Sequence, residues 1–326
     1  MREIQPWLAL VALALVSGVL TWLARRYALR RQLLDHPGER RSHQVATPRG
    51  GGIAIVVTAL VGLAAGALLY PTAAAQLAIF ATGLALVAGI GWWDDHRPLP
   101  AIRRLLVHML ASALLAGLVW QATGNALQAV LLFLVATALG NLWNFMDGIN
   151  GIASGYALVG ALSLAAVIPM PFALIAVVVA AGCLGFLPFN FPRARIFMGD
   201  VGSGALGYLM AALAGLASVV TSIHWLALLI PLSAFIVDAG FTLSSRMLSG
   251  QRWMEPHTQH VYQRAVKAGF SHARVTGVYI LLGLVGAAVL DASVPLPPLQ
   301  QAGVAVAWGA LLACLWAVMR VRLRNY

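Results

Sequence analysis

Charged side chains are missing from four long windows of the chain, residues 50–93, 105–146, 148–192 and 201–237. Each window holds roughly 40 residues, room for two helices of about 20 that leave and return to one side of a bilayer. Chain breakers predict the outer turns: Pro71, Gly124-Asn125, Pro169-Pro171 and Thr221-His224. Residues 275–319 repeat the pattern, with only Asp291 near their middle, beside the turn VPLPP. The first apolar stretch, 4–24, lacks an A-x-A-like site leading into a soluble domain and reads as a span, not a signal peptide. The expectation is an all-α integral membrane protein of about eleven transmembrane helices, one polytopic domain over 1–326. Its N-terminus is expected to be periplasmic and its C-terminus cytoplasmic.

Composition agrees. Of 326 residues 61% are hydrophobic and 10% charged, against about 25% charged in soluble domains, which excludes an ordinary water-soluble fold. A net charge of +11 would hint at nucleic acid in a soluble protein. On the eleven-helix topology, however, 20 of the 21 Lys and Arg fall on one side, with only Arg2 on the other. The positive-inside rule makes that side cytoplasmic, so the charge reports orientation and no nucleic-acid partner is expected. Cys183 and Cys314 lie inside apolar stretches and suggest neither a disulfide framework nor a metal site.

Carboxylates gather at the same face, in cytoplasmic loops near 25–49, 94–104, 145–151, 191–203 and 244–274, and a charge bias for bases does not explain them. DHPGERRSHQVATPRGGG, Asp35 to Gly52, carries His43 and Arg49 and ends in a glycine triplet at a helix start. The triplet either offers N–H groups to an anion or lets the helix pack closely. GWWDDHRPLP sets Asp94 beside Asp95, two carboxylates that repel unless a cation or proton relieves them; the alternative is a pair of acids capping the next helix. NLWNFMDGINGIASG spaces Asn144, Asp147 and Asn150 by three, while Gly148 and Gly151 break the helix and turn the polar groups into a pocket. RIFMGDVGSG, preceded by Asn190, places Asp200 at a helix start, as a cap or as a cation ligand. RWMEPHTQHVYQR holds His257 and His260; no third zinc ligand accompanies them, and phosphate donors or proton carriers fit a basic loop better. Asp238 lies two turns inside the ninth span, either functional or paired with Arg246.

In this order, DHPxxRxSH…TPRGGG, WDD, NxxNFMDGINGIASG, FNFPRARIFMGDVGSG and a late histidine loop resemble the bacterial polyprenyl-phosphate N-acetylhexosamine-1-phosphate transferase superfamily, glycosyltransferase family 4. That superfamily includes the phospho-MurNAc-pentapeptide translocase and the enzymes that start O-antigen and teichoic-acid synthesis. The resemblance covers roughly residues 33–275. It implies an inner-membrane enzyme with a cytoplasmic active site, transferring an N-acetylated amino-sugar 1-phosphate from a UDP-sugar to undecaprenyl phosphate. UMP leaves, and the cofactor is Mg2+, with Mn2+ as a substitute. By the same resemblance Asp200 matches the magnesium-ligating aspartate, with Asp147 near nucleotide and metal. Asp94 and Asp95 match the acidic pair at the lipid phosphate, and His257 and His260 match a phosphate-contacting loop. Asn144, Asn150, Asn190 and Phe197 match donor-binding positions, Phe197 by stacking on uracil, and His43 and Arg49 join them on the substrate side. HTQH departs from the HxHH or HHH of many relatives, and Met254-Glu255-Pro256 from an Asp-Arg pair; the longer HTQHVYQR is similar to the O-antigen-initiating branch. The sugar, the glycan pathway and a homodimer are left open. A transporter or flippase for lipid-linked sugar is the rival reading; it predicts midplane charges, paired broken helices or an inverted repeat.

Overall fold

The computed structural model describes residues 6–36, 38, 45–170, 172–251 and 257–324, so His43 and the segment Met254-Glu255-Pro256 lie outside the described residues. The helices are α1 (Pro6–Arg30), α2 (Ile53–Leu69), α3 (Ala74–His96), α4 (Ala101–Thr123), α5 (Ala126–Met146), α6 (Ile152–Val167) and α7 (Ala173–Asn190). They continue as α8 (Asp200–Val220), α9 (Trp225–Leu228), α10 (Ser233–Leu248), α11 (Val261–Lys267), α12 (His272–Ser293) and α13 (Pro298–Arg322). Two-residue strands β1 (Leu34–Asp35) and β2 (Thr47–Pro48) pair antiparallel, Leu34 opposite Pro48. A 3-10 turn at Pro71–Ala73 precedes α3, and another at Ile230–Leu232 joins α9 to α10.

Among the described residues, nine stretches are long and apolar enough to cross a membrane. Two shorter apolar helices, α2 with 17 residues and α6 with 16, complete the hairpins. The all-α membrane class expected from the apolar windows is what the chain adopts. The first three windows each carry two helices, while in the fourth α8 is followed by α9, a 3-10 turn and α10, which runs past the window to Leu248. The turns fall on the breakers. Gly124 takes φ +64 to end α4, and the Asn125 side chain accepts from Gln128 N at 3.1 Å to start α5. Pro71, which has no N–H to offer a continuing helix, separates α2 from α3.

Lipid tails are as apolar as leucine, so small residues that admit close contact decide which helices meet. The innermost helix is α8: 78% of its most apolar 18-residue stretch is buried, against 6% for α13. A side chain on Gly202 would collide with Gly52 and Met198, and one on Gly207 with the Leu139–Gly140 backbone of α5. Gly51 N and Gly52 N donate to Phe197 O (2.9 Å) and Met198 O (2.8 Å), while Phe197 N donates to Pro48 O (2.7 Å). The glycine triplet is therefore a close-packing device. Two of its N–H groups hold the 197–198 backbone, and the anion-donor reading of that segment gives way to packing.

Candidate active site

The start of α8 is held by a carboxylate from another helix. Asp95, at the end of α3 and 2% exposed, accepts from Asp200 N (3.0 Å) and Val201 N (3.1 Å). It satisfies two of the N–H groups that a helix start leaves without partners. Gly199 makes this approach possible. Its φ is +76, and a Cβ there would strike the Asp95 carboxyl. Asp200 itself therefore does not cap α8, and its side chain is turned to Arg104.

Arg104, in the first turn of α4, is the residue that sequence reasoning missed. One guanidinium nitrogen makes ion pairs with both Asp94 (3.1 Å) and Asp200. Asp94 also accepts from Leu99 N at 2.6 Å, bracing the turn before α4. The neighbouring acids thus divide: Asp95 is a buried cap, and Asp94 is a partly exposed member of an Asp94–Arg104–Asp200 triad. Arg49 joins from the other side, donating to the Asp95 backbone oxygen at 2.5 Å. Arg195 donates to Pro188 O and lies over the Phe189 ring.

The break after α5 forms the opposite wall. Asn144 donates to Ser203 Oγ at 2.9 Å, tying α5 to α8. Asp147 lies just past α5 and accepts no hydrogen bond among the described residues. The depth of its recess, then the charges of Asp200 and Asp95, hold its carboxyl well above the usual carboxylate range. Gly151 takes φ +75, where a side chain would meet the Phe191 ring. Asn150 donates to Pro192 O at 3.0 Å. Asn190, 3% exposed, uses both ends of its amide: Oδ1 accepts from Gly151 N (2.7 Å) and Nδ2 donates to Ile196 O (2.9 Å). It braces the wall from beneath, whereas Phe197 is half-buried.

The histidine loop reaches the same wall. The His257 and His260 rings pack against Phe145 at 6.4 and 6.1 Å between centroids. Burial first, then the charges of His260 and Arg246, depresses His257 to about 3. Burial also lowers His260, against the opposing pull of Asp238. Both rings are neutral near pH 7. Asp238, 3% exposed, accepts from Val261 N (2.9 Å), Tyr262 N (3.3 Å) and Tyr279 Oη (2.6 Å). It anchors the start of α11, not Arg246, which donates to Gln251. Tyr262 in turn donates to Phe145 O at 2.8 Å, two residues from Asp147.

Among the described residues no group of three or more His, Cys, Asp or Glu is placed to cage a metal. Magnesium does not require one, since it keeps waters and takes one or two carboxylates plus substrate phosphates. Asp147, lacking a donor and facing two like charges, and Asp200, already drawn to a cation at Arg104, fit that arrangement.

Residues 77–219 match the model of glycosyl transferase family 4, a stretch that includes Asp94, Asp95, Arg104, Asp147 and Asp200. The decaprenyl-phosphate N-acetylglucosaminephosphotransferase of Mycobacterium tuberculosis is 30% identical over 86% of this chain and 81% of its own length. The probable undecaprenyl-phosphate N-acetylglucosaminyl 1-phosphate transferase of Bacillus subtilis is 28% identical over 87% and 84%. The phospho-N-acetylmuramoyl-pentapeptide-transferase of Thermosynechococcus vestitus is 34% identical over 65% and 63%.

Proposed function

The chain belongs to glycosyl transferase family 4, the polyprenyl-phosphate sugar-1-phosphate transferases, and from that membership we propose the reaction it carries out. It transfers an N-acetylated amino-sugar 1-phosphate from a UDP-sugar to undecaprenyl phosphate in the bacterial inner membrane, with the site facing the cytoplasm. The product starts a cell-surface polysaccharide, and the histidine-loop wording favours O-antigen. The observation that carries this reading is the meeting of Asp94 and Asp200 at Arg104, with Asp147 within electrostatic reach of Asp200 and Asp95.

In the reaction an oxygen of the lipid phosphate attacks the β-phosphorus of the donor. A new P–O bond forms there, the bond from that phosphorus to the bridging oxygen breaks, and UMP departs with the electron pair. Both reactants are anions, so positioning and charge neutralisation carry the catalysis. Arg104 supplies one fixed positive charge and holds Asp94 and Asp200 in register. Asp147 and Asp200 would hold Mg2+, or Mn2+, which supplies further neutralisation of the donor pyrophosphate. Asp94, the less buried member of the acidic pair, orients the lipid phosphate. Asp95 keeps the α8 start, and hence Asp200, in place. Phe197 is the residue assigned to stack on uracil, and the neutral histidines offer N–H groups to phosphate oxygens.

UMP release from a UDP-N-acetyl sugar, measured with undecaprenyl phosphate and Mg2+ present or withheld, tests the reading. Release requiring both is expected, and release without acceptor lipid would replace direct attack with a covalent aspartyl intermediate. No release with any UDP-N-acetyl sugar would remove the assignment.

A further inference from the structure

Away from the carboxylates, hydrogen-bond donors collect where α13 meets α11, and among the described residues they outnumber the acceptors that reach them. Trp316 and Arg320 lie one turn apart on one face of α13, and Leu323 caps its C-terminal end. Arg264 of α11 reaches this face and makes a marginal bond to Leu323 O at 3.5 Å. Arg320 lies over the Trp316 ring, 4.9 Å from its centroid, and Phe241 of α10 closes the far side edge-on at 5.5 Å. Among the described residues, Arg264 Nε, Arg320 Nη1 and Trp316 Nε1 are buried atoms without a hydrogen-bond partner.

Such atoms are costly, because each has left water without a replacement acceptor. The two guanidiniums are close enough to repel each other. Asp238 is within electrostatic reach of Arg320, but its oxygens already serve Val261, Tyr262 and Tyr279. Arg246, the other base nearby, is bonded to Gln251. Among the described residues no carboxylate forms an ion pair with Arg264 or Arg320. What the cluster lacks is an anion with several acceptor oxygens, to which guanidinium forks and an indole N–H bond well.

Its position narrows the choice. The α13 helix is the least buried span, and Leu315, Val318 and Val321 beside the cluster are exposed, as are Met247 and Leu248 at the end of α10. The donors therefore sit where a lipid-covered face ends and headgroups begin, the setting in which basic pockets between helices take anionic lipids.

We propose that Arg264, Arg320 and Trp316 form a binding site for the phosphate of an anionic phospholipid, separate from the Asp94–Arg104–Asp200 site. The acyl chains run along the exposed faces of α10 and α13. The bound phosphate joins α11, which opens with His260, to the last helix of the chain. This assignment is independent of the sugar-donor reading.

The purified full-length protein in detergent, titrated with dioleoylphosphatidylglycerol or dioleoylphosphatidylcholine and followed by native mass spectrometry, tests it. One phosphatidylglycerol is expected to bind about tenfold or more tightly than phosphatidylcholine. Arg264→Gln with Arg320→Gln removes that preference. Trp316→Phe keeps the ring, deletes one N–H and weakens phosphatidylglycerol about threefold. Monodisperse elution and an unchanged melting temperature in phosphatidylcholine check folding; if the arginine pair fails that check, Trp316→Phe decides. Unchanged preference in the folded variants overturns the proposal. So does displacement of phosphatidylglycerol by equimolar inorganic phosphate, which makes the site one for soluble anions, or by equimolar undecaprenyl phosphate, which gives it to the acceptor.

Discussion

Arg104 makes Asp94 and Asp200 one electrostatic unit, and its removal leaves two carboxylates facing each other without a fixed counter-charge. Arg104→Gln and Asp200→Asn are each expected to lower kcat by about 10²–10³, read as UMP release by protein that is still membrane-inserted. Arg104→Lys recovers part of the loss, because a lysine restores the charge but not the fork. The histidines make a prediction in pH. An unfolded histidine takes its proton near 6.5, whereas folded His257 stays neutral until about 3. Between those values protons bind the unfolded chain more, so stability is full above about 6.5 and declines as pH falls. The melting temperature in detergent should drop on acidification, and His257→Gln should flatten that drop.

At the scale of elements, each helix carrying chemistry is pinned by a side chain from a helix distant in sequence. Asp95 caps α8, Asn190 braces the Gly151 turn, and Asp238 caps α11. Asp238→Asn keeps an acceptor for one backbone N–H but loses the doubly accepting carboxylate. It is expected to lower kcat about tenfold, with a smaller change in donor KM. Tyr262→Phe, cutting the link to Phe145 O, should be non-additive with it in a double-mutant cycle. Gly52→Ala meets the Gly202 backbone and should destabilise by about 1–3 kcal/mol, read as a lower melting temperature. These elements also divide what was legible in the chain. Turns at Pro71 and Gly124-Asn125 could be read directly, because proline and glycine act on their own backbone. The cap at Asp95 could not, because the N–H of Val201 lies 106 residues away. Asp238 illustrates the same limit: its depth in a span pointed to importance, but its partners on α11 become visible only once the chain has folded.

For the whole molecule, the proposed topology puts both the carboxylates and the C-terminus at the cytoplasmic face, and the Gly124-Asn125 turn outside. Cysteines introduced at Asn125 and at Pro98, in a background where Cys183 and Cys314 are replaced by serine, test it. A membrane-impermeant maleimide added to intact cells should label the first and spare the second; the reverse pattern inverts the protein. The chain's apolar windows determine by themselves that it is an all-α membrane protein, and its breakers determine where hairpins turn, because burial in lipid and backbone geometry are local demands. The sequence likewise brought Asp94, Asp95, Asp147 and Asp200 to helix ends. Only the tertiary structure decided that Asp95 is a cap, that Arg104 joins Asp94 to Asp200, and that Asn190 is a brace. The reason is physical: a carboxylate's role depends on which N–H or guanidinium it faces, and here those partners come from other helices.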